Sequence, residues 1–169
     1  MSRFALSIVC LIALSGCSQL QSNLVVPSVT PDRVHRKAEA LKMFETHRDF
    51  AQLEAALDFW KADNPEHCES LLTALVDRRP DFVEARLRLG ELLMDRGEMA
   101  AAEGHLQAAV SAQPHHAEAH HALGLLLEAA DRHAEAANHL AKAAELDPQN
   151  DIYRVTRDSV SDKTAVSRR

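Results

Sequence analysis

The chain has 169 residues, of which 25 are Asp or Glu and 19 are Lys or Arg, so its formal net charge is −6. This length allows one modest domain with tails. Aromatic residues make up only 4% of the chain, and the abundance of Ala, Leu, Glu and Arg favours helices over strands. The negative charge argues against a general nucleic-acid binder and gives no support to electrostatic docking on anionic lipid.

The start of the chain has the pattern of an export signal. Arg3 gives a short positively charged start, and residues 4–14 form an apolar run. A run of this length is typical of a signal-peptide core and is too short for a stable membrane span, which needs about 20 residues. We therefore predict that residues 1–16 are a signal peptide.

The apolar run ends in Leu14-Ser15-Gly16-Cys17. This tetrapeptide resembles the lipobox of bacterial lipoproteins, in which an aliphatic residue and two small residues precede a Cys. The resemblance implies that the chain is cut before Cys17 and that Cys17 carries several acyl chains, palmitate among them, which give stable anchoring. Ser18 at the next position favours the outer membrane, facing the periplasm. The alternatives are an ordinary secretory signal cleaved near Gly16 and no cleavage at all.

Residues 17–31 are rich in Ser, Gln, Asn, Val and Pro without a helical period, so we predict a flexible tether after the lipidated Cys. An N-terminal helix is predicted over residues 32–48, because its apolar residues from Val34 to Phe44 have helical spacing.

The most informative pattern is an internal repeat. Pro80, Pro114 and Pro148 are 34 positions apart, and residues 81–114 match residues 115–148 at 12 positions. A period of this length marks a stack of helical hairpins, none of which can bury its apolar face alone.

The repeated residues resemble the tetratricopeptide repeat, over residues 49–148. The residues at the family's structural positions are Leu89, Gly90, Ala102 and Pro114 in the first clear unit, and Leu123, Gly124, Ala136 and Pro148 in the second. The resemblance implies an all-α fold, a short right-handed superhelical stack of antiparallel helix pairs with flanking helices. The small residues would let the two helices of a pair approach closely.

One period earlier, residues 49–80 form a degenerate unit in which Cys68 takes a small-residue position and is expected to be buried. It is the last cysteine of the mature chain, since Cys10 lies in the signal and Cys17 would be lipidated, so no intrachain disulfide is possible. After the repeats we predict a capping helix over residues 149–160 and a disordered tail over residues 161–169. Ile152 and Val155 are expected to face the last hairpin.

By resemblance, the first helix of each pair lines a groove that binds a peptide or a helix of another protein. The predicted groove residues are Phe50, Leu53, Leu57, Trp60, Glu84, Leu87, Glu91, Met94, Glu118, His121, Leu125 and Glu128. An apolar anchor with basic residues would suit this surface, and Trp60 is the best anchor candidate. Alternatively, the segment from Phe50 to Trp60 packs under the N-terminal helix.

The spacing of the histidines raises the hypothesis of a metal site. His116 and His120 are four residues apart, a spacing that could hold Zn²⁺ or Cu²⁺, whereas His105 and His139 are equivalent positions of successive repeats. Solvated or helix-capping histidines are the preferred interpretation, so no metal and no cofactor are predicted. The sequence also contains no catalytic motif, and we expect a protein that is not an enzyme.

Together these features predict a membrane-anchored periplasmic scaffold that binds another protein during assembly of an envelope complex. Small bacterial lipoproteins of this kind resemble the pilotins of pilus and secretion machinery. Two alternatives stay open: a periplasmic metal- or heme-handling protein that uses the histidines, and an envelope component that self-associates.

Overall fold

The computed structural model describes residues 31–167, which form seven α-helices and no strand. The helices are α1 (Pro31–Lys61), α2 (Pro65–Arg78), α3 (Val83–Asp95), α4 (Met99–Ala112), α5 (Ala117–Ala129), α6 (His133–Leu146) and α7 (Asp151–Ser167). None of the described helices is long and apolar enough to cross a membrane. The all-α prediction is confirmed. The predicted signal peptide, Cys17 and the tether up to residue 30 lie outside the described residues.

Each hairpin turn has a left-handed backbone at the same repeat position. These residues are Asp63 with φ 57°, Gly97 with φ 78° and Asp131 with φ 58°. They are 34 positions apart. Gly takes this conformation at no steric cost, and Asp is among the few other residues that visit it routinely. The degenerate unit therefore has the same turn as the two clear units.

The second helix of each pair also ends in the same way. The C-cap residues Arg79, Gln113 and Asp147 have φ between −135° and −132° and ψ between 81° and 88°. Each directly precedes one of the three repeating prolines. Because a proline ring clashes with a helical conformation of the residue before it, the helix stops there.

The first hairpin departs from the predicted boundaries. Residues 49–61 correspond to the first helix of a pair, yet α1 runs without a break from Pro31. The predicted end of the N-terminal helix at residue 48 is therefore wrong, because the helix continues to Lys61. The physical reason is that no Gly or Pro occurs between Asp32 and Lys61, so nothing stops the helix.

The C-terminal helix is longer than predicted. α7 continues past residue 160 to Ser167, so residues 161–167 are helical rather than disordered. Ile152 and Val155 are 64% and 66% exposed, whereas Val160 is fully buried. The buried side of α7 follows Tyr153 and Val160, which are seven residues and two helical turns apart.

Close helix contacts in the two clear units depend on glycine. A Cβ on Gly90 would lie 2.7 Å from two side-chain carbons of Leu106, and a Cβ on Gly124 would lie 2.7 Å from Leu140 Cγ. Cys68 is fully buried in the corresponding core of the first hairpin, and its burial raises the pKa of its thiol. A buried thiol in the protonated form is inert, as expected for a packing residue.

An ionic cluster holds the first hairpin. Asp49 is only 1% exposed, and its carboxylate accepts hydrogen bonds from Arg78 Nη2 at 2.7 Å and from Arg79 Nη1 at 3.2 Å. Burial raises the pKa of Asp49, but the hydrogen bonds from the two arginines outweigh burial and lower it overall. The cluster therefore connects the middle of α1 to the end of α2.

Candidate protein-binding groove

Two adjoining cavities run along the first helices of the pairs. The larger has a volume of about 430 Å³. Its lining residues come from α1 and α3 and are Leu57, Trp60, Lys61, Arg88 and Glu91. The smaller, of about 110 Å³, lies between α3 and α5. Its lining residues are Glu91, Met94, Asp95, His121, Ala122 and Leu125. Because Glu91 lines both cavities, they form one groove.

Arg88 organises the middle of the groove. Its guanidinium donates from Nη1 to Glu91 Oε2 at 2.7 Å and from Nη2 to Glu118 Oε1 at 2.9 Å, so it bridges α3 and α5. Burial raises the pKa of Glu91, and the Arg88 hydrogen bond only partly offsets this. The groove therefore has three carboxylates, on Glu91, Asp95 and Glu118, against two cations, Arg88 and Lys61.

At the far end of the groove, His121 packs against Tyr153 of α7 with 4.7 Å between the ring centroids. Burial lowers the pKa of His121 and raises the pKa of Tyr153. His121 Nε2 is buried and has no hydrogen-bond partner within residues 31–167. A buried polar atom without a partner is costly, and a ligand group that bonded to it would recover that free energy.

The structure brings together half of the predicted groove residues. Those that line the two cavities are Leu57, Trp60, Glu91, Met94, His121 and Leu125. Glu118 joins them through Arg88. Phe50 packs edge to face on Phe82, with 5.1 Å between the centroids. Glu84 and Glu128 are half-buried near opposite ends of their helices.

Two predicted groove residues are in the core instead. Leu53 is 7% exposed and Leu87 is 1% exposed, so neither presents a surface to a ligand. Sequence reasoning also missed Arg88 and Tyr153. Arg88 is one residue from Leu87 and so is about 100° further around the helix, on the side that faces the groove.

The histidines of the metal hypothesis take structural roles. His116 caps α5 by accepting a hydrogen bond at Nδ1 from the Ala119 amide at 3.2 Å. His120 is 8% exposed; its Nε2 lies 3.1 Å from the Pro114 carbonyl oxygen and its Nδ1 lies 3.0 Å from His139 Nδ1. Within the described residues, no group of three or more His, Cys, Asp or Glu side chains could hold a metal ion. The spacing of His116 and His120 therefore reflects capping and packing.

Paired helices repeated at a fixed period define an α-solenoid of helical hairpins. The family model described as tetratricopeptide repeat matches residues 53–115 and 93–151. The chain therefore belongs to the tetratricopeptide repeat family, and the predicted membership is confirmed. Repeats of this family bind other proteins, so the coarse prediction of a protein-interaction scaffold also holds.

Solved structures with the same fold include three informative ones. The first repeat domain of Spaghetti (RPAP3), bound to an HSP90 peptide, has a TM-score of 0.66 and 18% identity over 70% of this chain and 94% of that chain. MamA has a TM-score of 0.63 and 19% identity over 79% and 78% of the two chains. An O-GlcNAc transferase from Thermobaculum terrenum has a TM-score of 0.60 and 26% identity over 67% of this chain but only 22% of that chain. A comparison with curated proteins gave no match.

Proposed function

We propose that this protein is a lipid-anchored scaffold of the bacterial envelope that binds a basic, partly apolar segment of another protein during assembly of an envelope complex. The groove between Trp60 and Leu125 is the observation that carries the binding proposal. Its apolar side chains can hold an anchor, and its carboxylates can pair with Lys or Arg.

The location rests on the sequence. Leu14-Ser15-Gly16-Cys17 supports acylation of Cys17, and Ser18 supports the outer membrane, with the repeats on the periplasmic side. We propose pilus or secretion machinery as the envelope complex. The repeats support a scaffold rather than an enzyme, although the O-GlcNAc transferase shows that an enzyme can contain a segment with this fold.

The structure that contains the HSP90 peptide SRMEEVD supports a peptide as ligand but not that peptide. SRMEEVD has acidic residues at its end, and this groove also has an excess of carboxylates, since Glu91, Asp95 and Glu118 outnumber Arg88 and Lys61. Like charges brought together in a partly buried groove would oppose binding. We therefore expect a partner of opposite charge.

Trp60 makes the binding proposal simple to test, since it is the single Trp of the chain and lines the larger cavity. The lipid-free chain from residue 17, with Cys17→Ser, is titrated with an amphipathic helical peptide of Leu and Lys and with the same peptide in which every Lys is Glu. The Lys peptide should change the fluorescence of Trp60 at micromolar concentration and bind more weakly as salt rises. The Glu peptide and SRMEEVD should give no change.

A variant that truncates Trp60 tests the contact between the groove and the apolar side of the peptide. Trp60→Ala should weaken binding of the Lys peptide by about 30-fold, measured by calorimetry, because truncation of a central aromatic anchor typically costs about 2 kcal/mol. Ala101→Glu, at an exposed site of α4 outside the groove, is the control and should leave binding unchanged. Equal binding of the Lys and Glu peptides would refute the groove proposal.

The proposed lipid anchor on Cys17 is tested separately in cells. Wild type should incorporate labelled palmitate and fractionate with the outer membrane, and Cys17→Ala should do neither. If Cys17→Ala still incorporates the label, the lipidation proposal is wrong, whatever the peptide result.

Crosslinking in cells from a photoreactive residue at Lys61, at the rim of the groove, would then identify the partner. Recovery of self-crosslinks alone would favour the self-association alternative.

A further inference from the structure

The N-terminal part of α1 presents apolar side chains on one side of the helix. Val34, Leu41 and Phe44 are 54%, 53% and 68% exposed. At about 100° per residue they fall within an arc of about 80°, and we call these three residues the apolar stripe. Large exposed apolar side chains that share one face mark an interaction surface.

The charges around the apolar stripe are not random. Lys37 lies within its arc and Arg33 beside it, and such side chains can keep their charge in water while their stems cover apolar surface. Asp32 and Glu39 lie on the opposite side, where Asp32 pairs with Arg36 and Glu39 lies 3.2 Å from His35 Nε2. The apolar stripe therefore has Arg33 and Lys37 on its Phe44 side and Glu45 beside Val34 on the other, and Arg36 offsets Asp32 on the opposite side of the helix.

This local charge contrasts with the rest of the protein. Residues 32–48 contain five Lys or Arg and three Asp or Glu, a net charge of +2, whereas residues 49–169 contain 13 and 22, a net charge of −9. The net charge of the whole chain hides this asymmetry. An anionic surface would attract the start of α1 and repel the repeats.

The sequence also limits how far the apolar stripe can be from a membrane. If Cys17 is acylated, the 13 residues from 18 to 30 can separate it from Pro31 by no more than about 50 Å, even when fully extended. Confinement within that distance corresponds to an effective concentration on the order of millimolar. A weak interfacial affinity is then sufficient to keep α1 at the surface.

We propose that the N-terminal part of α1 lies on the surface of an anionic bilayer, with Val34, Leu41 and Phe44 inserted and with Arg33 and Lys37 at the headgroups. Amphipathic helices with this distribution of apolar and basic side chains bind at the membrane interface. The inference rests on the lipid anchor of the proposed function. It adds a second contact with the membrane, next to the lipid anchor in the chain.

The test supplies the anchor chemically, so it does not depend on natural acylation. The chain from residue 17 is coupled to vesicles through a maleimide lipid; Cys68 is fully buried, which leaves Cys17 as the reactive thiol. Amide hydrogen exchange is compared on vesicles of equimolar phosphatidylglycerol and phosphatidylcholine and on vesicles of phosphatidylcholine alone. Residues 31–45 should exchange at least fivefold more slowly on the anionic vesicles, and the repeats should not change.

Two glutamate variants of similar exposure locate the contact. Phe44→Glu, in the apolar stripe, should abolish the protection, whereas Met43→Glu, at a residue 62% exposed on another side of α1, should retain it. Equal protection on both vesicle types, or equal loss in both variants, would overturn the proposal. So would a dimer in light scattering without vesicles that Phe44→Glu removes, because the apolar stripe would then pair with a second copy.

Palmitate labelling of Cys17 in cells separates this inference from the proposed function. Failed labelling with normal protection on vesicles would count against the anchor alone, and successful labelling without protection would count against the inference alone.

Discussion

The first hairpin and the two that follow have the same turns and helix ends, but different side chains hold them together. In the later hairpins a glycine, Gly90 or Gly124, lets a leucine of the second helix approach closely. In the first hairpin the equivalent of Gly90 is Ala56, and a buried carboxylate, Asp49, joins the two helices instead. The comparison shows that the repeat period fixes the backbone while leaving the packing chemistry free to vary.

The difference has a consequence for what each hairpin can tolerate. An ionic cluster depends on charge, so the first hairpin should respond to loss of one carboxylate. Close packing depends on volume, so the later hairpins should respond to one added methyl group.

The largest effect is expected for Asp49→Ala. Removal of the carboxylate leaves Arg78 and Arg79 without their buried partner; both arginines are 35% exposed, so water offsets part of the loss. We expect the free energy of unfolding to fall by about 2 kcal/mol, less than the roughly 3–5 kcal/mol typical of a fully buried pair. Urea unfolding followed by circular dichroism measures it.

Asp58→Ala is the matched control, since Asp58 is on the same helix and pairs with Lys61 at a site where both side chains are about three-quarters exposed. It should cost about 0.5 kcal/mol or less. Because the folded-state pKa of Asp49 is lowered, the Asp49 contribution is present above the unfolded pKa of about 4 and is lost as pH falls through the folded value. Equal costs for the two variants would contradict the ionic account of the first hairpin.

A smaller effect is expected in the last hairpin for Gly124→Ala. The new Cβ would lie 2.7 Å from Leu140 Cγ and 3.3 Å from the Leu140 amide nitrogen, so the Leu140 side chain or its helix must shift. We expect a loss of about 1 to 2 kcal/mol in unfolding free energy, since overpacking outweighs the better helix propensity of Ala.

Gly104→Ala is the control for this prediction, because a Cβ there meets no atom within 4 Å. Gly104 is inside α4, so this substitution should instead stabilise the protein by about 0.5 to 1 kcal/mol. If Gly124→Ala is also stabilising, close packing does not hold the later hairpins.

The features that recur in each repeat could be predicted from the sequence. The prolines and the small residues of each pair recur with the period of the repeat, and each has a local physical cause. Asp49 was missed because its partners, Arg78 and Arg79, are 29 and 30 residues away and no pattern connects them.

The groove was predicted less well than the fold. Leu87 was assigned to the groove by its repeat position, but its side chain turns into the core and the neighbouring Arg88 faces the groove instead. Tyr153 was missed because the helical phase of α7 was assigned from Ile152 and Val155. Neighbouring residues of a helix point about 100° apart, and the repeat pattern does not specify the direction of a side chain to that precision.

The smallest expected effect is a difference between the hairpins in how their stability depends on pH. Burial lowers the pKa of His105, His121 and His139, all of which lie in the later hairpins. Between these folded values and the unfolded value of about 6.5, the unfolded chain binds more protons, so stability falls as pH falls. We expect the free energy of unfolding to decrease modestly from pH 7.5 to pH 5.5, a range in which Asp49 stays ionised.

The double variant His121→Gln with His139→Gln should remove most of this decrease, while His115→Gln, at an exposed site, should leave it unchanged. Amide exchange at pH 5.5, corrected for the intrinsic rate, should show the loss in residues 83–146 before residues 49–78. A decrease confined to the first hairpin would mean that its ionic cluster, and not the buried histidines, sets the response to mild acid.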